Sequence, residues 1–462
     1  MTAARSIPSH IPSMQPDGRT DVGPDKPFEN SSLKRLDDCT TPLCALSVLA
    51  IFEILLIGAT WNLWWGGSGF PICPLIIPAV PVAFDRLVLT VFLLNACLIA
   101  LETCFCRRST PFPPEVRHNS FAFLLAASCR FRHWLTLGLG SLLVLLNQHR
   151  LQPWHWLFLV MLLIRQVPNN RQCWQLMQQV IATIYVCSAL SRIAVDLTGD
   201  MTTLIIRQLL AFAGITEPQG QTAEAWLRWS LIIGEGLTGL LLLLPRFRRF
   251  GLCAAMGMHT ALLLALGPLG LNHHPGVLLW NLCMLVAVPV LFTRRQASED
   301  PLLINSASQC SPGVCMAIVG IWLFPLSGLL NIADNWPSWQ LYSSRPERIV
   351  MMIREDQREL LPRELQPYIG SAEVFSEWIP VMLDRWSLQA TGSPMYPEDR
   401  FQLWVISHVL LLDAANAFEV RIEISEPELF WWRRRERTLT SREELTGELS
   451  RFLLLPEVPL KH

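Results

Sequence analysis

Long apolar runs separated by short loops that carry arginine set the limits on what this chain can fold into. A run of roughly 20 apolar residues makes a helix of ~30 Å, the depth of a hydrocarbon layer, and does not sit stably on a wet surface. With 51% of its 462 residues hydrophobic and 16% charged, the chain reads as a polytopic α-helical membrane protein. The expected spans are 43–65, 86–104, 133–147, 153–164, 174–195, 226–244, 250–266, 277–292 and 313–330, about nine transmembrane helices. The net charge of −1 leaves no basic surplus to displace counterions from a phosphate backbone, which argues against nucleic acid and leaves the lipid bilayer as the expected partner.

Residues 1–42 are rich in Pro, Ser and Asp and hold no apolar run, the composition of a disordered tail rather than of a signal peptide. Trp61, Trp64 and Trp65 close the first span as an aromatic belt does. The prolines of GGSGFPICPLIIPAVP oppose a continuous helix after it. The third and fourth spans are short and suit either tilted crossings or a shallow hairpin. Together, residues 43–172 form an N-terminal group of helices, 173–295 a four-helix membrane core, and 296–330 a linker with a last span kinked at Pro325. Within the core, Leu204, Ile205, Leu209, Leu210 and Phe212 recur at a spacing that suits a helix lying along the interface.

From 331 to 462 the composition becomes that of a small soluble α+β domain. RIVMMI and FEVRIEIS read as strands, DRFQLWVISHVLLLDAANA has helical spacing, and Ser441 with Glu444 forms a capping-box pattern. Sidedness follows from arginine placement. Lys34/Arg35, the loop from Arg107 to Arg132, Arg165/Arg171, Arg246/Arg248/Arg249 and Arg294/Arg295 fall on alternate loops, with Arg150 and Arg207 as exceptions. The bias predicts a cytoplasmic N-terminus and an extracytoplasmic C-terminal domain, in the cell (inner) membrane.

Ionisable residues inside apolar runs are costly and call for a partner or a task. Glu235 and His259 each lie about nine residues, ~14 Å, from the same end of two consecutive spans, so they are expected at matching depth and able to pair. Arg192 at the end of the preceding span, Glu53 in the first and Asn95 in the second complete a candidate polar cluster. Glu235 and His259 are the candidates for chemistry; no catalytic residue is assigned. Paired polar groups between packed helices also serve simply to fix helix register. The adjacent His273 and His274 lack a third ligand nearby, and no metal site is expected.

The 13 cysteines form no C-x-x-C pair and read as small buried hydrophobes or reduced thiols. No G-x-S-x-G, P-loop, H-E-x-x-H or dinucleotide fingerprint is present. WWRRRER, at 431–437, reads as a solvated strand face, with contact to anionic lipid or a carboxylate-bearing partner as the alternative.

IYVCSALSRIAVDL followed by IIGEGLTGLLLLLPRFRRFG resembles the four-helix MauE/DoxX-type membrane family over about a quarter of the chain. Ser188, Ser191 and Arg192 stand at its first motif, with Arg where Lys is usual, and Glu235, Gly239 and Arg246 at its second. The resemblance implies a redox-associated accessory or scaffold protein, working beside a thioredoxin-like or other extracytoplasmic partner. The absence of C-x-x-C argues against disulfide exchange by this chain itself, since that chemistry needs an attacking and a resolving thiol. The same region is similar to the HTTM family, the membrane portion shared with vitamin K-dependent carboxylases, through IYVCSALSR, Glu235 and the His259 of MGMHTALLL. That resemblance implies instead a membrane enzyme with a quinone-type cofactor. The expected function is the accessory role, with the HTTM-like enzyme as the alternative; the cofactor is otherwise unassigned.

Overall fold

The computed structural model describes residues 29–67, 69–75, 80–108, 120–193, 201–215, 221–293, 312–341, 343, 345–371, 376–412, 418–428, 433–452 and 455. They form a mostly helical protein with a small antiparallel sheet near the C-terminus. The helices are α1 (Glu29–Ala59), α2 (Trp61–Trp65), α3 (Val82–Arg108), α4 (Ser120–Leu146), α5 (Pro153–Ile164), α6 (Asn170–Arg192), α7 (Met201–Phe212), α8 (Gln221–Leu243), α9 (Arg248–Leu266), α10 (Pro275–Phe292) and α11 (Pro312–Gly328). Among the described residues, five helices are long and apolar enough to cross a membrane: Pro42–Ala59 of α1, Val82–Glu102 of α3, Ala225–Leu243 of α8, and all of α9 and α10.

Two boundaries depart from the sequence reading. Helix α1 starts at Glu29, inside the stretch whose composition suggested a disordered tail, because helical backbone continues through Pro42 ahead of the apolar run. Helix α4 has 27 residues where the sequence reading expected a short element, and only α5, with 12, is short. Most of the basic loop between α3 and α4, the polar turn TEPQGQ and the linker before α11 lie outside the described residues, as do Trp431 and Trp432.

Helix α6 has the length to cross but not the hydropathy. It is the inner helix, packed on α1, α5, α8, α10 and α11, so little of it needs to meet lipid. Its glutamines bond to neighbouring helices: Gln178 Nε2 donates to Leu291 O at 2.8 Å, and Gln179 Oε1 accepts from Trp322 Nε1 at 2.9 Å. Helix α8 comes close to α6 because Gly239 has no side chain. A Cβ there would stand 2.8 Å from the Ala182 carbonyl oxygen. Helix α7 packs on α8 and α9 with Ile205 and Ile206 buried and Leu204 and Phe212 exposed, so the apolar set read from its spacing is divided between two faces.

The C-terminal region holds β1 (Arg348–Arg354), β2 (Trp378–Val381), α12 (Leu383–Thr391), α13 (Asp399–Leu412), β3 (Val420–Pro427), β4 (Arg434–Leu439) and α14 (Arg442–Leu449). The strands are ordered β2-β1-β3-β4, every neighbouring pair antiparallel. Ser441 Oγ accepts from Glu444 N at 3.1 Å at the start of α14, while the Glu444 carboxylate returns to Thr440 N at 2.6 Å. The capping box is therefore offset by one residue on its return bond.

The core of this region is not made from its own residues alone. Phe70 and Cys73, from the connection between α2 and α3, are buried in it, with the Phe70 ring 4.7 Å from that of Trp386. His149 bonds to Pro394 O at 2.9 Å, and Gln148 Oε1 accepts from Arg400 Nε at 3.1 Å. Arg150 is buried, and its guanidinium grips Asp85 through both nitrogens at 2.5 and 2.7 Å. A basic residue neutralised this way is not a free loop charge.

Candidate functional site

A cavity of about 380 Å³ lies among α6, α7, α8, α9 and α10, under the chain at Leu341. Its walls are mainly aliphatic, and two polar groups face into it. Both depend on α6, where Tyr185, Ser188 and Arg192 recur at i, i+3 and i+7 and so share one face.

At the upper group, Arg192 Nη1 donates to Glu235 Oε2 at 2.6 Å. The same guanidinium donates to Ser188 Oγ at 3.0 Å and to Leu341 O at 3.2 and 3.3 Å. Ser343 Oγ donates to Ser191 O at 2.9 Å, which ties the segment above the cavity to the end of α6. A single arginine therefore joins α6, α8 and the connection to the C-terminal region.

Two turns deeper, Tyr185 and His259 Nε2 are 2.8 Å apart, and His259 Nδ1 lies 3.0 Å from Asn281 Oδ1. Asn281 Nδ2 donates to Val277 O, one turn back on α10, at 2.9 Å, and this fixes which way the amide faces. Its oxygen must then accept from His259 Nδ1–H, which leaves Nε2 as the acceptor for the Tyr185 hydroxyl. The result is a phenol donating to an imidazole held in one tautomer by an amide.

Arg192, Glu235 and His259 are thus brought to one cavity, as expected, but Glu235 and His259 do not pair. Each meets a different residue of α6, so the expected Glu–His pair is not formed. Glu53 and Asn95 do not belong to the cluster. Glu53 Oε1 is 2.6 Å from His155 Nδ1 between α1 and α5, and Asn95 Nδ2 donates to Val91 O of its own helix at 2.8 Å. A similar acid–imidazole contact, Glu102 to His133 at 2.9 Å, joins α3 to α4. Both contacts lie away from the cavity and fix helix register, the structural role expected of buried pairs.

Sequence reading missed Tyr185, Asn281 and the Leu341 carbonyl. Tyr185 could have been found from its helical spacing to Ser188 and Arg192, and Asn281 as an amide within the apolar run LLWNLCMLVAVPVLF. Leu341 had no signal, since its contribution is backbone brought in from a distant segment. His274 caps α10, its Nδ1 accepting from Gly276 N at 3.4 Å, and His274 N donates to His273 Nδ1 at 2.9 Å. No group of three or more metal-ligating side chains occurs among the described residues. Comparison with protein families, curated proteins and solved structures gives no match to this chain.

Proposed function

We propose that this is an integral membrane protein whose cavity binds an amphipathic small molecule with a hydroxyl head, the reduced form of the quinone type that the HTTM resemblance implies. One observation carries the reading: the chain from Tyr185 through His259 to Asn281 ends in the wall of a largely aliphatic cavity of about 380 Å³. That volume lies in the lower part of the roughly 300–1,000 Å³ typical of small-molecule sites, which pair apolar walls with a few oriented polar groups. The residues fit such a head. The Tyr185 oxygen can accept from a bound hydroxyl while its own proton points at His259 Nε2. A bound molecule of this type supplies an ionisable hydroxyl; the protein supplies the acceptor. As the phenol receives a proton it passes its own to the imidazole, so charge develops on a ring whose Nδ1–H is already held by Asn281. Arg192 and Glu235 add an ion pair without net charge to the same wall.

Nine crossings, by α1, α3, α4, α5, α6, α8, α9, α10 and α11, are part of this proposal. Connectivity supports them: the ends of α1, α4, α6 and α11 and the starts of α3, α5 and α10 gather at the C-terminal region. Helix α5 is short, yet its two ends join opposite sides. The arginine bias, with Arg150 now neutralised, supports a cytoplasmic N-terminus and an extracytoplasmic C-terminal region.

Organic extraction of the protein purified in mild detergent tests the ligand. A quinone recovered in near-stoichiometric amount, and lost in Tyr185→Phe, is the expected result. Recovery of none would overturn the ligand reading and leave the accessory role, beside a thioredoxin-like partner, that the MauE/DoxX resemblance implies. Labelling of single cysteines placed in the C-terminal region of intact cells tests the sidedness.

A further inference from the structure

Helices α8 and α9 are in close contact at the turn that joins them, where a Cβ on Gly251 would stand 2.7 Å from Leu242 N. Away from that turn they part. Gly234, about two turns from Leu242 along α8, and Gly257, nearly two turns from Gly251 along α9, both line the 380 Å³ cavity. Both are exposed, and a Cβ on either would meet nothing within 4 Å. At the far end α7 closes the gap, with Ile205 packed on Ala265 and Leu266 and itself part of the cavity wall. Glycine inside a helix is destabilising relative to alanine. Neighbouring backbone accounts for it at Gly239 and Gly251, whereas at Gly234 and Gly257 the missing side chain leaves only room.

The gap opens toward hydrocarbon. Both helices are long and apolar enough to cross a membrane, and each glycine stands at the edge of its helix's exposed apolar face. On α8 the adjacent Ile233 is 62% exposed, and Leu237, one turn on, 49%. On α9, Phe250 and Leu264, two turns to either side of Gly257 and so on its face, are 67% and 46% exposed. The hydroxyls at the mouth are spent within α8: Ser230 Oγ donates to Leu227 O and Thr238 Oγ1 to Gly234 O, both at 2.7 Å. The mouth therefore offers a polar head nothing to hold, and what fits it is a chain of methylene groups.

We propose that the cavity is entered sideways from the bilayer, between α8 and α9, and that its occupant carries a hydrocarbon tail that stays in this gap, whose width Gly234 and Gly257 set. The proposal rests on the reading of the cavity as a ligand site, but not on the head being a quinol. The tail of such a ligand and an acyl chain of the surrounding lipid are two sources of the same chain. Burial of the tail adds affinity in proportion to the apolar area it covers, while Tyr185 and His259 select the head.

Two quinols with one head, trimethylhydroquinone with and without a prenyl tail, titrated anaerobically into the full-length protein in nanodiscs, test the proposal. A phosphatidylcholine with a diazirine at the end of one acyl chain, cross-linked by light in the same discs, supplies the lipid arm. Gly257→Phe fills the gap and is expected to weaken the prenylated quinol about tenfold, which a few buried methylenes are worth, while tail-free binding changes less than about twofold. Gly234→Leu narrows the gap from the other side and should give the same order. Gly138→Phe, on α4 away from the cavity, should match the unaltered protein. Cross-linking to Glu235, whose side chain is 10% exposed in the cavity wall, is expected in the unaltered protein and lost in Gly257→Phe, with labelling of Ile233 unchanged. If neither quinol binds but the acyl chain reaches Glu235 only while the gap is open, the sideways opening stands and the quinol reading falls. Equal weakening of both quinols in the two gap variants, unchanged binding and labelling in them, or failure of both the prenylated quinol and the photoreactive lipid to reach the cavity would overturn it.

Discussion

The Tyr185 hydroxyl and Nε2 of His259 are 2.8 Å apart, and the amide of Asn281 decides which of the two donates. Three helices, α6, α9 and α10, each contribute one member. The chain is therefore a property of their packing and disappears if any one of them shifts by a turn.

Removal of the phenol tests the proton relay without disturbing the packing. Tyr185→Phe keeps the buried ring and deletes one neutral hydrogen bond, so stability should fall by about 1 kcal/mol. Ligand retention should fall at least about tenfold, the loss expected of one oriented bond. Thermal melting in detergent and extraction of the bound molecule measure the two separately.

The Arg192–Glu235 pair should show strong asymmetry between single and double variants. Glu235→Leu strands a guanidinium between helices, and breaking a buried pair on one side costs about 3–5 kcal/mol. Arg192→Met combined with Glu235→Leu removes both charges and should recover much of that loss. Glu29→Gln, in the N-terminal segment, should match the unaltered protein. Melting temperatures of the unaltered protein, Glu235→Leu, Arg192→Met and the double variant form the check; additive losses would mean the two groups do not interact.

Close approach of α6 and α8 depends on Gly239. A methyl group there would stand 2.8 Å from Ala182 O, which is backbone and cannot move alone. Gly239→Val should therefore push the helices apart, lower stability by about 1–3 kcal/mol and weaken ligand retention through the displaced Glu235. Gly138→Val, on α4 away from the cavity, is the matched control, since a Cβ at Gly138 meets nothing within 4 Å.

Phe70 anchors the C-terminal region to the connection after α2. Truncation of such a buried aromatic costs about 3–5 kcal/mol. Phe70→Ala should make the region from 331 onward open first on heating, seen as earlier proteolysis of that region than of α8–α10.

Glu347 links stability to pH. Burial, with the Asp399 carboxylate adding to it, raises its carboxyl from 4.5 to about 7. The folded state thus keeps a proton that the unfolded state has lost, and this group's contribution to stability falls as pH rises from about 4.5 through 7. Glu347→Gln removes the effect. Its stability relative to the unaltered protein should rise across that window, by on the order of 1–3 kcal/mol, and level off above it, followed by melting at each pH. A constant difference between pH 5 and pH 8 would show that the carboxyl is not perturbed.

Periodicity and run length made α3, α8, α9 and α10 legible, along with β1, β3 and α13, because each is set by residues near one another in the chain. Helix α6 was harder to read by composition, since a helix surrounded by protein is free to carry Gln172, Gln175, Gln178 and Gln179. Glu235, Arg192 and His259 were legible as residues out of place in apolar runs. Their partners were not, since an unsatisfied charge announces only that a partner exists.

The sequence by itself determined that the chain builds long apolar helices, that a few ionisable groups are held among them, and that the last third is of a different composition. Only the tertiary structure decided that Glu235 meets Arg192 and His259 meets Tyr185, that Glu53 is engaged elsewhere, and that the C-terminal core closes over Phe70. The physical reason is that burial depends on neighbours along the chain, whereas a hydrogen bond depends on the rotation and height of two helices about their axes. Those are settled by how Gly239 and its surroundings pack.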